Sequence, residues 1–250
     1  MKNDAHLIDI HAHIWLGREK ENIRDLRRAA RKYGIEKILI SLLGSHHPDP
    51  EEVKQLNDTA AAICRRDALF GAYVTVSPEH PNALRVLEDG IQRGALGMKI
   101  WVSCLCDEAC CHVLYRRCGE AGLPVLVHTF AKIVGQLPGE STAVHLCRAA
   151  LTHPETSFIM AHLGGNCYHG IPMIRDLQNV FVDFSGSTCR RDDLPYALAQ
   201  LGAERILFGT DMPGSFVMSY GQLLSADLSP RQMQMICREN ALKLFPALRK

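Results

Sequence analysis

Residues 7–14 read LIDIHAHI, a short apolar run rich in β-branched residues that two histidines interrupt near its end. Seven further apolar runs follow along the chain, each separated from the next by a longer stretch with helical periodicity. Short strands that alternate with helices indicate βαβ units and a parallel sheet. The further runs are KILISLL (37–43), LFGAYVTV (69–76), ALGMKIWV (95–102), PVLVHTF (124–130), SFIMAHL (157–163), VFVDFSG (180–186) and RILFGTD (205–211).

Eight strand-and-helix units in 250 residues predict an α/β fold, a single (β/α)8 barrel that occupies residues 1–250 as one domain. The rival is a doubly wound open sheet, whose dinucleotide-binding version carries G-x-G-x-x-G after its first strand. Here that position reads HAHIWLG (11–17), so the barrel is favoured. A last helix is predicted over residues 229–245, with Ser229 as the N-cap and Pro230 at the first helical position.

The charge balance excludes several classes of partner. The chain has 28 Lys and Arg against 27 Asp and Glu, a net charge of +1, which supplies no broad positive field for nucleic acid or an anionic membrane. Its first residues carry no basic leader with an apolar stretch, and no segment offers about 18 uninterrupted apolar residues. We therefore expect a cytoplasmic protein that acts on a small, anionic molecule and has no nucleic-acid or membrane partner. A homo-oligomer is compatible with the sequence.

The chain has ten cysteines, which should stay reduced in the cytoplasm. Half of them lie close together, in a spacing that matches neither a paired C-x-x-C zinc pattern nor an iron–sulfur run. Three fall in a predicted helix, ACCHVLYRRCGEAG (109–122), where free cysteine behaves as a small hydrophobe. Packing is therefore favoured over a metal or redox role. The group is Cys104, Cys106, Cys110, Cys111 and Cys118.

Side chains alternate between the two faces of a strand, so His11 and His13 project to the same side. The opposite face of this run would carry Ile8, Ile10, Ala12 and Ile14, an apolar strip suited to pack on helices, which directs both histidines toward the barrel axis. On the other strands the same alternation directs inward Gly97, Lys99 and Trp101; Leu126, His128 and Phe130; Phe158, Met160 and His162; and Leu207, Gly209 and Asp211.

The polar members of these inward sets lie at the carboxyl ends of their strands, where (β/α)8 barrels build their active sites. A single histidine at a strand end is more often hydrogen-bonded than a metal ligand. An H-x-H pair on one strand, histidines on two others and an aspartate on a fourth together favour a metal site. Imidazole and carboxylate are ligands of catalytic zinc. We predict one Zn²⁺ per chain, with Mn²⁺ or a binuclear site as alternatives.

Five motifs occur in order along nearly the whole chain: IDIHAHI (8–14), LVHTF (126–130), MAHLGG (160–165), FGTDMP (208–213) and ENALKLF (239–245). Through them the chain resembles the amidohydrolase superfamily, and within it the amidohydrolase-related branch that includes aminocarboxymuconate-semialdehyde decarboxylase and lactone hydrolases. The resemblance implies that the metal ligands are His11, His13, His128 and Asp211. It also implies that Asp211 doubles as a proton acceptor and that His162 polarises or positions the substrate.

Lys99 has two readings under this resemblance. In binuclear members a carboxylated lysine at the end of the fourth strand bridges two metals, and Lys99 stands at that position. Members of the branch more often use one metal, so we expect Lys99 to contact a substrate anion. In the binuclear alternative His128, His162 and Lys99 would serve the second metal.

The remaining candidates are weaker. Arg190 and Arg191 would either pair with a substrate carboxylate or lie exposed before a helix that starts at Asp192, and the sequence leaves both readings open. Trp101 is a candidate substrate contact. His46 and His47 are expected in a solvent-exposed loop. Asp9 would act behind the ligands by fixing an imidazole tautomer.

The expected reaction is hydrolysis of an amide, lactone or ester of a small carboxylate-bearing substrate. A metal-activated water would be deprotonated by Asp211, and His162 would stabilise the oxyanion. The alternative is non-oxidative decarboxylation of an unsaturated or aromatic acid with nearly the same ligands. A catalytically silent barrel that only binds is disfavoured because every ligand position is present.

Overall fold

The computed structural model describes residues 6–186, 190–211 and 216–249. Eight parallel strands form one sheet in the order β1 to β8. The sheet closes on itself because Ile10 N–H donates to Phe208 O at 3.0 Å and Thr210 N–H donates to His11 O at 3.1 Å. Helices alternate with the strands, so the predicted (β/α)8 barrel is confirmed.

The strands and helices have the following bounds. The strands are β1 Leu7–Trp15, β2 Ile35–Leu43, β3 Phe70–Thr75, β4 Gly97–Ile100, β5 Val125–Val127, β6 Phe158–Met160, β7 Val180–Asp183 and β8 Ile206–Leu207. The helices are α1 Glu19–Tyr33, α2 Pro50–Arg66, α3 Ala83–Gln92, α4 Ala109–Ala121, α5 Ala143–Thr152, α6 Cys167–Ile174, α7 Asp193–Leu201, α8 Phe216–Ser225, α9 Pro230–Gln234 and α10 Asn240–Leu244.

The last helical segment begins as predicted. The Ser229 side chain accepts a hydrogen bond from Gln232 N, and Pro230 opens the helix, where its missing N–H costs nothing. A π-helical turn, Met235–Glu239, separates α9 from α10. In the described part of the chain, no helix is both long and apolar enough to cross a membrane.

The core consists of two clusters. The larger one lies between the strands and the surrounding helices. The smaller one fills the inside of the barrel below the candidate site, where Phe245, just after α10, packs on Tyr73 with ring centroids 6.0 Å apart. Tyr73 satisfies its buried hydroxyl by donating to Ile10 O at 2.7 Å. This inner cluster contains the strand residues Ile8, Ile10, Leu39, Tyr73, Leu126, Ile159 and Leu207, together with Ala161 just after β6.

The prediction for the outer face of β1 is wrong for two of its four residues. Ile8 and Ile10 belong to the inner cluster, whereas Ala12 and Ile14 pack toward the helices. The pairing of β1 with β2 shifts register between Asp9 and Ala12. This irregularity inverts the alternation partway along the strand. The strand therefore presents isoleucines inward at its start, and its histidines still face inward at its end.

The predicted alternation is also wrong on β6. Phe158 and Met160 pack in the outer cluster, whereas Ile159 and Ala161 face the inside. By alternation alone, His162 would then point outward. The backbone instead turns left-handed at His162, with φ of 59°, and this turn returns the imidazole to the inside.

Candidate metal centre

The polar side chains inside the barrel come from the carboxyl ends of six strands. β1 and β4 carry theirs within the strand, as His11, His13 and Lys99. His128 follows β5, and His162 follows β6. On β7 and β8 the corresponding residues are Asp183, which ends β7, and Asp211, four residues after β8.

His11, His13 and Asp211 form a compact group of possible ligands, and His11, His162 and Asp183 form an overlapping one among the described residues. The nearest atoms of the first group are His11 Nε2 and His13 Nε2, 3.1 Å apart, and His13 Nε2 and Asp211 Oδ1, 3.2 Å apart. The Asp211 oxygen lies 3.6 Å from His11 Nε2. Ligands bound at about 2.0–2.1 Å with angles of about 90–120° lie roughly 2.8–3.6 Å from each other. The three side chains therefore fit a single divalent ion.

The hydrogen bonds behind the two imidazoles fix which nitrogen faces the centre. His11 Nδ1–H donates to Asp183 Oδ2 at 2.9 Å. His13 Nδ1 lies 2.8 Å from Ser41 Oγ and 3.3 Å from the Ser41 carbonyl oxygen, which can only accept. Both Nε2 lone pairs consequently point at each other and at the Asp211 carboxylate. Such a convergence of electron pairs is repulsive. Lys99 Nζ, 3.2 Å from His11 Nε2, relieves part of it, and a cation bound between the ligands would relieve the rest.

The electrostatic environment keeps these groups in their metal-binding forms. Burial lowers the pKa of His11 to about 3 and also lowers the pKa of His13, so both imidazoles are neutral. Burial by itself would raise the pKa of Asp211, but the imidazoles of His162 and His13 beside it hold this pKa below its usual value. Neutral imidazole and ionised carboxylate are the forms that bind metals.

Lys99 lies at the same point inside the barrel. Its side chain is fully buried, and Nζ is 3.2 Å from His11 Nε2. Burial lowers the pKa of this lysine to about 8. The predicted inward direction of Lys99 is therefore observed, and its amine reaches the candidate centre.

Asp9 was expected to hydrogen-bond a ligand imidazole and fix its tautomer. In the structure Asp183 makes this bond, to His11 Nδ1. The Asp9 carboxylate accepts from His11 N at 3.1 Å and from Thr210 Oγ1 at 2.6 Å, which are backbone and hydroxyl groups. Asp183, fully buried, holds the His11 ring. Asp183 was not among the residues predicted from the sequence, although a charged residue within the apolar run VFVDFSG (180–186) indicates a functional position.

His128 and His162 form a second pair beside the compact group. His162 Nε2 lies 3.2 Å from His128 Nδ1 and 3.9 Å from Asp211 Oδ1. His128 Nε2–H donates to Glu140 Oε1 at 3.0 Å, and Lys132 holds the other Glu140 oxygen at 2.8 Å. His128 thus reaches the site through its Nδ1. It does not belong to the compact group formed among the described residues.

Strained backbone occurs at two of these positions. The described non-glycine residues with positive φ are His162, Leu163, Asp211 and Asp227. His162 and Asp211, with φ of 59° and 72°, are both site residues. Such conformations cost on the order of 1–3 kcal/mol each and persist where the surroundings impose them.

Aromatic side chains surround the mouth of the site. Trp15, Trp101 and Phe130 each lie two residues beyond an inward polar residue of their strand, and all three are half-buried. Trp101 contacts Trp15 and the exposed His46, with ring centroids 5.8 and 4.7 Å apart. Phe130 lies 5.8 Å from the His162 ring.

Arg190 and Arg191 lie outside this mouth group. Both are exposed and immediately precede Asp192, the residue before α7. Arg190 N–H donates to Asp193 Oδ2 at 3.1 Å, a bond within the helix start. The exposed arrangement matches the second of the two alternatives that the sequence left open.

A protein-family model described as Amidohydrolase matches residues 8–247, nearly the whole chain. The chain belongs to the amidohydrolase family. The resemblance inferred from the motifs is thereby confirmed. None of the curated proteins matches this amidohydrolase.

Solved structures of several decarboxylases share the fold of this amidohydrolase. The 2,6-dihydroxybenzoate decarboxylase from Rhizobium has a TM-score of 0.78 at 19% identity, covering 97% of this chain and 99% of that one. The dihydroxybenzoic acid decarboxylase from Polaromonas sp. JS666, with bound manganese and the inhibitor 2-nitroresorcinol, has a TM-score of 0.76 at 19% identity, covering 98% of each chain. The 5-carboxyvanillate decarboxylase from Sphingomonas paucimobilis has a TM-score of 0.74 at 16% identity, covering 97% and 99%.

Proposed function

We propose that this amidohydrolase is a metal-dependent, non-oxidative decarboxylase of a small aromatic acid with a hydroxyl group beside its carboxylate. The observation that carries the proposal is the full-length likeness of its barrel to decarboxylases of hydroxylated benzoic acids. The ligand group and the aromatic mouth of this chain support the same chemistry. Hydrolysis, our main expectation from the sequence, has no comparable support.

In this proposal His11, His13 and Asp211 hold one divalent ion, and His128 Nδ1 is the fourth protein ligand that the family resemblance implies. Bound there, the ion would supply a positive charge that anchors the substrate's oxygens. Manganese is bound in one similar decarboxylase, so Mn²⁺ stands beside Zn²⁺ as a candidate.

The chain's own residues offer a transferable proton beside this group. Ser185 Oγ–H donates to Asp183 Oδ1, so Ser185 Oγ accepts from His162 Nδ1–H at 3.0 Å. The far nitrogen of His162 lies 3.2 Å from His128 Nδ1 and 3.9 Å from Asp211 Oδ1. With His128 Nδ1 engaged as a ligand, a proton on His162 Nε2 would be free for transfer to the substrate, and the Asp211 carboxylate would stabilise the resulting positive charge.

This proton completes the proposed reaction. The ring carbon that bears the carboxylate accepts the proton from His162 Nε2, and the adjacent hydroxyl supplies the electron density that makes this carbon basic. The carbon–carbon bond then breaks, its electron pair restores the aromatic ring, and CO₂ leaves. Solvent returns a proton to His162. General acid catalysis of this kind contributes typically about 10²- to 10⁴-fold in rate.

The side chains at the mouth fit a flat substrate. Trp15, Trp101 and Phe130 offer faces and edges on which an aromatic ring can stack. Lys99 would contact the substrate's carboxylate from inside the barrel, as proposed from the sequence.

The test is to incubate the protein, loaded with Mn²⁺ or Zn²⁺, with 2,6-dihydroxybenzoate and 5-carboxyvanillate in D₂O. The expected product carries one deuterium at the carbon that lost its carboxylate, and CO₂ is released in equal amount. His162→Asn should lower kcat by at least about 10²-fold and retain the metal. Cleavage of a lactone or phenyl ester, without CO₂ release from either acid, would favour hydrolysis and refute the proposal.

A further inference from the structure

Three cysteines converge in the connection between β4 and α4. Cys104 lies in the loop after β4, and Cys110 and Cys111 lie in the first turn of α4. Their three sulfur atoms are all within 4.8 Å of one another. The Sγ atoms of Cys104 and Cys111 are 3.7 Å apart. Thiolates bound to one tetrahedral zinc at about 2.3 Å would lie roughly 3.8 Å apart, so this spacing matches a shared metal.

We propose that Cys104, Cys110 and Cys111 bind one thiophilic d¹⁰ cation, Zn²⁺ or Cu⁺, at a site separate from the histidine centre. Soft thiolate ligands select these cations over Mg²⁺, Ca²⁺ or Mn²⁺. With three sulfurs from the protein, the cation is either three-coordinate or takes an external fourth ligand. Cys110 is only partly buried and gives the cation a way in from solvent.

Packing alone explains the neighbouring cysteines better than it explains these three. Cys118, on the same face of the core, contacts the Met98 sulfur at 4.0 Å, as a small hydrophobe would. The other three sulfur atoms lie within 4.8 Å of one another, and the Cys111 thiol also contacts Leu105 O at 3.7 Å.

Burial opposes ionisation of the free thiols. The hydrogen bond with Cys111 and burial raise the pKa of Cys104, and burial raises the pKa of Cys110 to about 11. A cation would therefore have to displace the protons of these thiols as it binds.

The site would stiffen a loop that borders the histidine centre. Cys106 N–H, between the ligands, donates to Ser141 Oγ at 2.9 Å. Ser141 follows Glu140, which holds His128. A cation on the cysteines would thus fasten the β4–α4 connection to the segment that positions His128.

The experiment uses full-length protein in which His11→Ala and His13→Ala disable the histidine centre. The reduced protein is titrated with Cd²⁺, as a spectroscopic substitute for Zn²⁺, and separately with Cu⁺ against a chromophoric chelator. We expect thiolate-to-metal charge-transfer absorption that saturates at one ion per chain. Saturation with Cd²⁺ assigns a divalent site, and saturation with Cu⁺ alone assigns a monovalent one.

Cysteine variants then show which residues give rise to the charge-transfer band. Cys110→Ser, at the exposed edge, should fold normally and lose about a third of the band, since two thiolates replace three. Cys104→Ser with Cys111→Ser should abolish it. The matched control is Cys118→Ser, which changes a buried cysteine of the same helix and should leave the titration unchanged. Circular dichroism establishes that each variant is folded.

Three results would overturn the proposal. One is the absence of any charge-transfer band at one equivalent of either ion. Another is an equal loss of the band in Cys118→Ser and Cys110→Ser. The third is a Cys104–Cys111 disulfide that forms in air in a protein whose reduced form takes up no ion. Each result is independent of whether the histidine centre catalyses decarboxylation.

Discussion

Replacing Asp183 by asparagine tests how the metal centre is held. One Asp183 oxygen, Oδ1, accepts from His162 N at 3.1 Å, Ser185 N at 2.9 Å and Ser185 Oγ. The other oxygen accepts only from His11 Nδ1, at 2.9 Å. Asparagine keeps the larger set of bonds with its carbonyl oxygen and therefore turns its NH₂ group toward His11. Two donors would then face each other.

The His11 ring can relieve this conflict by moving its proton to Nε2, which removes the lone pair that faces the metal. It can otherwise turn Nδ1–H toward Ser185 Oγ, 3.1 Å away, which shifts Nε2 from its position in the centre. Loss of such a supporting contact costs about 10- to 100-fold in metal affinity, or about 1.4–2.7 kcal/mol. The assay is calorimetric titration of metal-free protein with Zn²⁺ and Mn²⁺.

The matched control is Asp9→Asn. Asp9 is equally buried, and burial raises its pKa to about 7, so a neutral amide resembles its protonated form. Its hydrogen bonds go to His11 N and Thr210, so we expect metal affinity within about threefold of the parent. If Asp9→Asn weakens metal binding and Asp183→Asn does not, the assignment of the supporting carboxylate is wrong.

Three further substitutions address the remaining site residues. Asp211→Asn keeps an oxygen for the metal but loses the charge beside His162, so kcat should fall by at least about 10²-fold at saturating metal; a kcat within about threefold of the parent would place the proton chemistry elsewhere. Lys99→Ala should leave one metal per chain by elemental analysis and raise KM for an anionic substrate; a fall from two metals to one would establish a bridging role. Gly186→Ala should lower both thermal stability and kcat. Gly186 has φ of 102°, which strains any other residue, and an added Cβ would lie 2.8 Å from His162 Nδ1. An unchanged melting temperature and kcat would show that His162 tolerates displacement.

The alternation of eight short apolar runs with helical stretches was sufficient to predict the barrel. Each run is long and apolar enough to form a strand whatever its distant neighbours are. Periodicity also placed Lys99 and His128 correctly, since β4 and β5 alternate regularly up to those residues. It predicted as well that His162 faces inward, but it assumed the wrong inward residues on β6. His162 faces inward because the backbone turns left-handed there, and hydrophobic periodicity does not predict such a turn.

The parts that sequence could not supply depend on contacts between distant segments. The register shift in β1 lies beside Asp9, whose carboxylate bonds Thr210, 201 residues along the chain. The partner of His128 is Glu140, which lies in the connection between β5 and α5 and carries no strand signal. Asp183 was visible within its run, but its bond to His11 spans 172 residues.

The register shift in β1 divides the strand into two parts. The inward residues before it, Ile8 and Ile10, serve the barrel's interior packing, and the inward residues after it, His11 and His13, belong to the candidate centre. Deleting one residue at the shift would restore regular alternation, so both histidines would still face inward, but each would lie one strand residue, about 3.3 Å, lower along the barrel. They would then no longer be level with Asp211, and the compact ligand group would be lost. The extra residue therefore sets the height of the histidines inside the barrel.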